Sequence, residues 1–233
     1  MMYSLRILLQ ESFLRKENDM KKIVLLGDSI RMGYDKYIKD AFEGVAEVYY
    51  PDDNVRFGEY FLRFVHEWKE KGKWPDDIDL VHWNVGLWDV LNLYDDGPLS
   101  TPEYYENIIG RLEKRLRMLF PDAKMIFATS TNVVEEEYGK HFCRYNREIM
   151  QYNEIAKSVL TPRGVEINDL YALTENCTKE CRSDMTHFNT DAGRELVGGR
   201  VLSVICNALG IDEKSLVTNK FVKEDYTDDS IGA

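Results

Sequence analysis

Five short apolar runs, each ended by turn-forming residues and followed by a longer stretch, constrain this chain more than any other feature. Ile23–Leu26 ends in Gly27-Asp28, Val45–Tyr50 stops at Pro51-Asp52-Asp53-Asn54, and Asp79–Val85 stops at Gly86. Lys124–Ala128 and Val165–Asn168 complete the set. Continuous apolar runs of this length read as strands buried on both faces. Between them, Tyr34–Phe42 reads as a helix, and Glu59–Lys71 places Phe61, Leu62, Val65 and Trp68 on one helical face. Ser100-Thr101-Pro102-Glu103 predicts a helix start: a hydroxyl cap, Pro at the first helical position, and Glu three residues after Ser100. That helix should run to Phe120, ahead of Pro121. Arg144–Leu160 and Thr190–Leu209 predict two more, the last stopped by Gly210. Strands alternating with helical segments specify an α/β fold: a three-layer α/β/α domain around a five-stranded parallel sheet.

The length of 233 residues suits one such domain and is short for two. No internal repeat or Pro/Gly-rich linker divides the chain. Met20, followed by Lys21-Lys22 and the first strand, is the expected start of the domain. Residues 1–19 are then an N-terminal extension, 20–211 the domain, and 212–233 a polar, loosely held tail. A hydrophobic fraction of 44% with 12% aromatics is ordinary globular composition and excludes wholesale disorder.

Thirty basic against forty-one acidic residues leave a formal charge of −11. Such a surface repels phosphates and anionic head groups, so neither nucleic acid nor membrane is an expected partner. A strongly anionic substrate is disfavoured too, unless a local basic pocket overrides the global field. No apolar run reaches the length of a membrane span, and the first residues read poorly as a secretory signal. Four cysteines at irregular spacing do not make a disulfide scaffold, so reduced thiols in a cytoplasmic protein are expected. Cys177 with Cys181, and His141 with Cys143, supply too few ligands for zinc, and no metal is expected.

In an open parallel sheet, sites form beyond the carboxyl ends of the strands. That rule selects Gly27–Met32, Pro51–Gly58, Gly86–Asp89, Thr129–Val133 and the loop before the last helix. The first holds Ser29, the last Asp184 and His187. A serine hydroxyl is a poor nucleophile until a base takes its proton. Imidazole is such a base near neutral pH, and a carboxylate can orient it. Taken alone, Gly27-Asp28-Ser29 reads equally well as a helix cap at Asp28 or Ser29. Asp184-Met185-Thr186-His187 tips the reading toward chemistry. The other histidines read as structural: His66 within an amphipathic helix, His82 buried in the third strand, His141 in a polar loop.

Together, Gly27-Asp28-Ser29 after the first strand and Asp184-Met185-Thr186-His187 before the last helix resemble the GDS and DxxH blocks of the SGNH (GDSL-type) hydrolases. Their order, with about 155 residues between them, fits that family from Met20 to Gly210. The resemblance implies a flavodoxin-like α/β/α fold, hydrolysis of acyl esters with Ser29, Asp184 and His187 as triad, and no cofactor. It also implies an oxyanion hole that includes Ser29 and a glycine after strand two, for which Gly58 is the candidate. The family's third block is GxND; here it is Gly86-Leu87-Trp88-Asp89, with Trp88 in place of the asparagine donor. Asn84 is an alternative donor, though about 13 Å away along an extended strand. Asn54, in the loop of Gly58, is another. The α/β-hydrolases share the Ser…Asp…His order but need G-x-S-x-G, which Ser29-Ile30-Arg31 does not supply.

Trp88, Tyr34, Phe57, Tyr49 and Tyr50 lie in or near the expected rim, where aromatic faces suit sugar rings; they read equally well as packing. The expected substrate is a small-molecule or carbohydrate ester, acetyl in the first instance, with Trp88 and Asn54 lining its pocket. The alternative is a carbohydrate- or ligand-binding protein on the same scaffold, weakened as an enzyme by Trp88. A flavodoxin-like binding module ranks last, since no Gly-rich phosphate loop is present.

Overall fold

A computed structural model describes residues 20–216; the expected N-terminal extension and residues 217–233 of the expected tail lie outside them. Among the described residues the strands are β1 (Lys21–Leu26), β2 (Ala46–Tyr49), β3 (Leu80–Trp83), β4 (Asn92–Leu93), β5 (Lys124–Ala128), β6 (Phe142–Cys143) and β7 (Glu166–Asn168). Five of them form one sheet in the order β2-β1-β3-β5-β7, every pair parallel. β1 and β3 run through the middle, and Ile23–Leu26 and Leu80–Trp83 are sealed from solvent. Their apolar runs, interrupted only by His82 in β3, follow from that position.

The helices are α1 (Ser29–Met32), α2 (Asp35–Ala41), α3 (Gly58–Gly72), α4 (Pro102–Leu119), α5 (Asn146–Leu160), α6 (Leu170–Thr174) and α7 (Asp191–Leu209). α4 packs against both α3 and α5, while α7 packs against α2 and α6. Phe61, Leu62, Val65 and Trp68 are the buried side of α3, as their spacing predicts. Gly210 ends α7 in the left-handed conformation that glycine adopts without penalty.

Three local readings are corrected, and a second, two-stranded sheet is added. The cap of α4 is Thr101, whose side chain accepts from Tyr104 N; Pro102 takes the first helical position and thereby fixes the cap one residue before it. Ser100 instead donates to Asp89 Oδ1 at 2.8 Å. Tyr34 is no rim residue: it is buried with its ring edge-on to His82. β4 and β6 pair antiparallel, Asn92 with Cys143 and Leu93 with Phe142; runs of two residues carry no readable period. The start of the tail is held, because Asp212 caps a turn over Glu213–Ser215 and brings Leu216 into the core.

The turn after β1 is crowded. A Cβ on Gly27 would stand 1.9 Å from Asn84 Oδ1 and 2.6 Å from Arg31 Cβ. Gly27→Ala is therefore expected to cost about 1–3 kcal/mol of stability, the usual penalty of overpacking. The urea midpoint checks this, and an unchanged midpoint would contradict the crowding argument.

Candidate active site

The turn that holds the candidate nucleophile begins with Asp28. Its Oδ1 accepts from Ile30 N at 3.0 Å, so Asp28 is the cap of α1 and the Ser29 hydroxyl is left for other work. Burial raises the Asp28 pKa, with Asn84, the Ile30 N–H and the fields of His187 and Arg144 pulling it back down.

Ser29 Oγ lies 2.8 Å from His187 Nε2. His187 Nδ1 lies 2.8 Å from Asp184 Oδ2 and 3.0 Å from Oδ1. Asp184 Oδ1 also accepts from Thr186 N at 2.7 Å and His187 N at 2.8 Å, so one carboxylate folds the loop and orients the ring it contains. Burial opposes ionisation of Asp184, but the His187 hydrogen bond and charge and the two N–H groups outweigh it, bringing the pKa down to about 2. With Nδ1–H directed at this carboxylate, Nε2 is left to accept the Ser29 proton. That arrangement can make an alkoxide-like nucleophile and stabilise the imidazolium that results.

The other histidines stay outside. His66 lies in α3, and His141 stacks on Tyr94. His82 is fully buried in β3, its pKa pushed down to about 3 by burial, with Nε2 3.2 Å from Asn168 Nδ2.

Of the expected oxyanion donors, two are placed differently. Gly58 N donates to both oxygens of Asp89 at 3.2 Å, so it is not a free donor. The cause is the third-block carboxyl: Asp89 is buried, held also by Ser100, and raised by burial to about 7. Asn84 is buried under the nucleophile turn, beside Gly27 and Asp28, rather than facing outward. Gly86 adopts φ +147°, and a Cβ there would stand 2.5 Å from Ser130 Oγ, so only glycine serves at this turn. Asn54 accepts from Arg56 N at 2.8 Å through Oδ1. Trp88 is half-buried, with the Arg144 guanidinium 5.9 Å from its ring.

Three side chains that shape the site were not singled out in the sequence. Arg31 is buried, paired with Asp35, and donates to Pro51 O at 3.0 Å and Asp53 O at 2.6 Å. It ties the loop after β2 to the nucleophile turn. Arg144 donates through Nε to Leu87 O at 2.5 Å. Tyr138 meets Thr186, the neighbour of His187, hydroxyl to hydroxyl at 2.6 Å. A signal existed only for Arg31, two residues after the serine of the GDS block. At the opposite, amino ends of β1, β3 and β5, a cavity of about 370 Å³ lies among Lys21, Lys22, Asp79 and Lys124, away from all of these groups.

No protein-family model matches the sequence, and no curated protein matches it either. Solved structures do. A lipase/acylhydrolase from Enterococcus faecalis is 22% identical with a TM-score of 0.60, over 87% of this chain and 100% of that one. A GDSL-like lipase from Bacteroides thetaiotaomicron is 16% identical with a TM-score of 0.61, over 83% and 90%. An acetyl xylan esterase is 17% identical with a TM-score of 0.59, over 79% and 99%. In fold, this chain stands with the GDSL-like lipases and acylhydrolases.

Proposed function

We propose that the protein is a serine esterase that hydrolyses short acyl esters, acetyl esters first, on a carbohydrate or other small molecule. One observation carries the reading: Ser29, His187 and Asp184 form a continuous hydrogen-bonded series, with both key contacts at 2.8 Å. In the reaction, His187 takes the Ser29 proton as Oγ attacks the ester carbonyl. It then gives that proton to the leaving alcohol, and water releases the acyl group by the same path in reverse. The chemistry calls for no cofactor. The first backbone N–H of α1, at Ser29, and the Asn54 amide are the donors we assign to the oxyanion. The likeness to an acetyl xylan esterase, and the aromatic rings of Trp88, Tyr138 and Phe142 around Arg144, support an acetylated sugar.

The engagement of Gly58 with Asp89, together with Trp88 at the usual asparagine position, favours a second reading: a carbohydrate-binding protein with weakened catalysis. One assay decides between them. A series of 4-nitrophenyl esters from acetate to octanoate should be cleaved with a graded decline, since each extra methylene is worth about 1–3 kcal/mol in a fitted pocket. A preference for octanoate would point to a lipase, and no turnover above buffer would leave the binding protein.

A further inference from the structure

Arg144 is only 4% exposed, yet among the described residues no carboxylate comes within ion-pair distance of it, and the buried Asp28 carboxyl feels its charge only through the field. Buried cations are ordinarily paired with an anion. Here Nε goes to Leu87 O and Nη1 to the Tyr138 hydroxyl at 3.3 Å. The rings of Trp88, Tyr138 and Phe142 lie 5.3–5.9 Å from the guanidinium carbon. Aromatic faces favour a cation but supply no acceptor for its N–H groups. Nη2 has no acceptor in the described protein, and it is not among the sealed atoms that lack partners. That edge of the guanidinium fork is therefore open.

Its location is informative. Leu87 and Trp88 follow β3, which is the neighbour of β1 and its nucleophile turn. Tyr138 bonds to Thr186, next to His187. The guanidinium thus touches the loop after β3 directly and is linked through the Tyr138 hydroxyl to the loop that carries the histidine. A planar fork with open donors matches a carboxylate better than it matches a neutral hydroxyl.

We propose that Arg144 binds a carboxylate carried by the ester substrate, so that the natural substrate is an anionic ester, for example an acylated acidic sugar. The proposal rests on the esterase reading above. It also identifies the local basic pocket that a chain of charge −11 needs in order to accept an anion.

Two matched pairs of esters test it and separate the two places the carboxylate can sit. 4-Acetoxybenzoate against its methyl ester puts the charge on the alcohol side. 4-Nitrophenyl hemisuccinate against 4-nitrophenyl methyl succinate puts it on the acyl side. With each rate divided by that ester's rate in buffer, wild-type kcat/KM should favour the anion in one pair by about tenfold or more, the scale of one charge-assisted contact. Arg144→Gln should abolish that preference, mainly through KM, and Arg144→Lys should restore part of it. A merely structural arginine would lower both members of a pair alike. Equal rates, or faster cleavage of the neutral ester in both pairs, overturn the proposal and leave the esterase intact. An anion preference that survives in Arg144→Gln also overturns it. No cleavage of any of the four esters overturns the esterase reading itself. Should Arg144→Gln fail to fold, inhibition of the wild type replaces it: benzoate should inhibit at least about tenfold better than benzamide, and equal inhibition overturns the assignment.

Discussion

Ser29→Ala is expected to lower kcat on acetate esters by at least about a thousandfold, because no other group at the site can form the acyl-enzyme. The urea midpoint should barely move. Ser29 is the first residue of α1, among the described residues its hydroxyl hydrogen-bonds only with His187, and Asp28, not Ser29, caps the helix. His187→Ala and the double variant should be about as inactive as Ser29→Ala, since members of one acting unit do not add. Asp184→Asn should lower turnover with little change in KM. Its remaining oxygen can still accept the Thr186 and His187 N–H groups, so the loop should hold while the ring loses its orienting charge. Steady-state kinetics with 4-nitrophenyl acetate measures all four variants. His66→Gln and His141→Gln serve as controls; if either were inactive while His187→Ala kept its rate, the site would lie elsewhere.

The second large effect is on stability and comes from Asp89. In the folded protein burial raises this carboxyl to about 7, whereas an unfolded chain would hold it near 3.9. Between those values the folded state retains a proton that the unfolded state releases. The stabilisation is therefore complete below about pH 4 and is lost as pH rises toward 7. Asp89→Asn keeps an acceptor for Gly58 N but does not titrate. Relative to wild type, it should gain about 3 kcal/mol between pH 5 and pH 8, from 1.36 kcal/mol per unit over the interval below 7. Urea unfolding at the two pH values measures the difference. Parallel pH dependence in the two proteins would mean that Asp89 is ionised throughout.

What could be read in the sequence follows from how far each signal travels along the chain. The sheet was legible because Ile23–Leu26, Leu80–Trp83 and Met125–Ala128 are buried on both faces and so are apolar at every position but His82. Ser29, Asp184 and His187 were legible because each sits in a turn whose position relative to a strand or helix is readable. Their mutual approach is a consequence of the parallel sheet. Oxyanion donors were not legible in the same way. A backbone N–H carries no residue label, and the partner that takes Gly58 N is a side chain 31 positions away. By its spacing Arg144 reads as the first residue of a helix, whereas it precedes α5 and is buried. What draws it in is Leu87, 57 residues earlier, and the aromatic residues of separate loops. No local pattern encodes such a meeting.

The hydrogen bond between His187 and Ser29 joins residues 158 positions apart, whereas the one between His187 and Asp184 closes within four residues. The two halves of the triad must therefore come together on different schedules during folding. A short loop closes early at small entropic cost, while the long closure waits until β1, β3, β5 and β7 are side by side. Recovery of turnover after dilution from denaturant would then time the completion of the whole sheet.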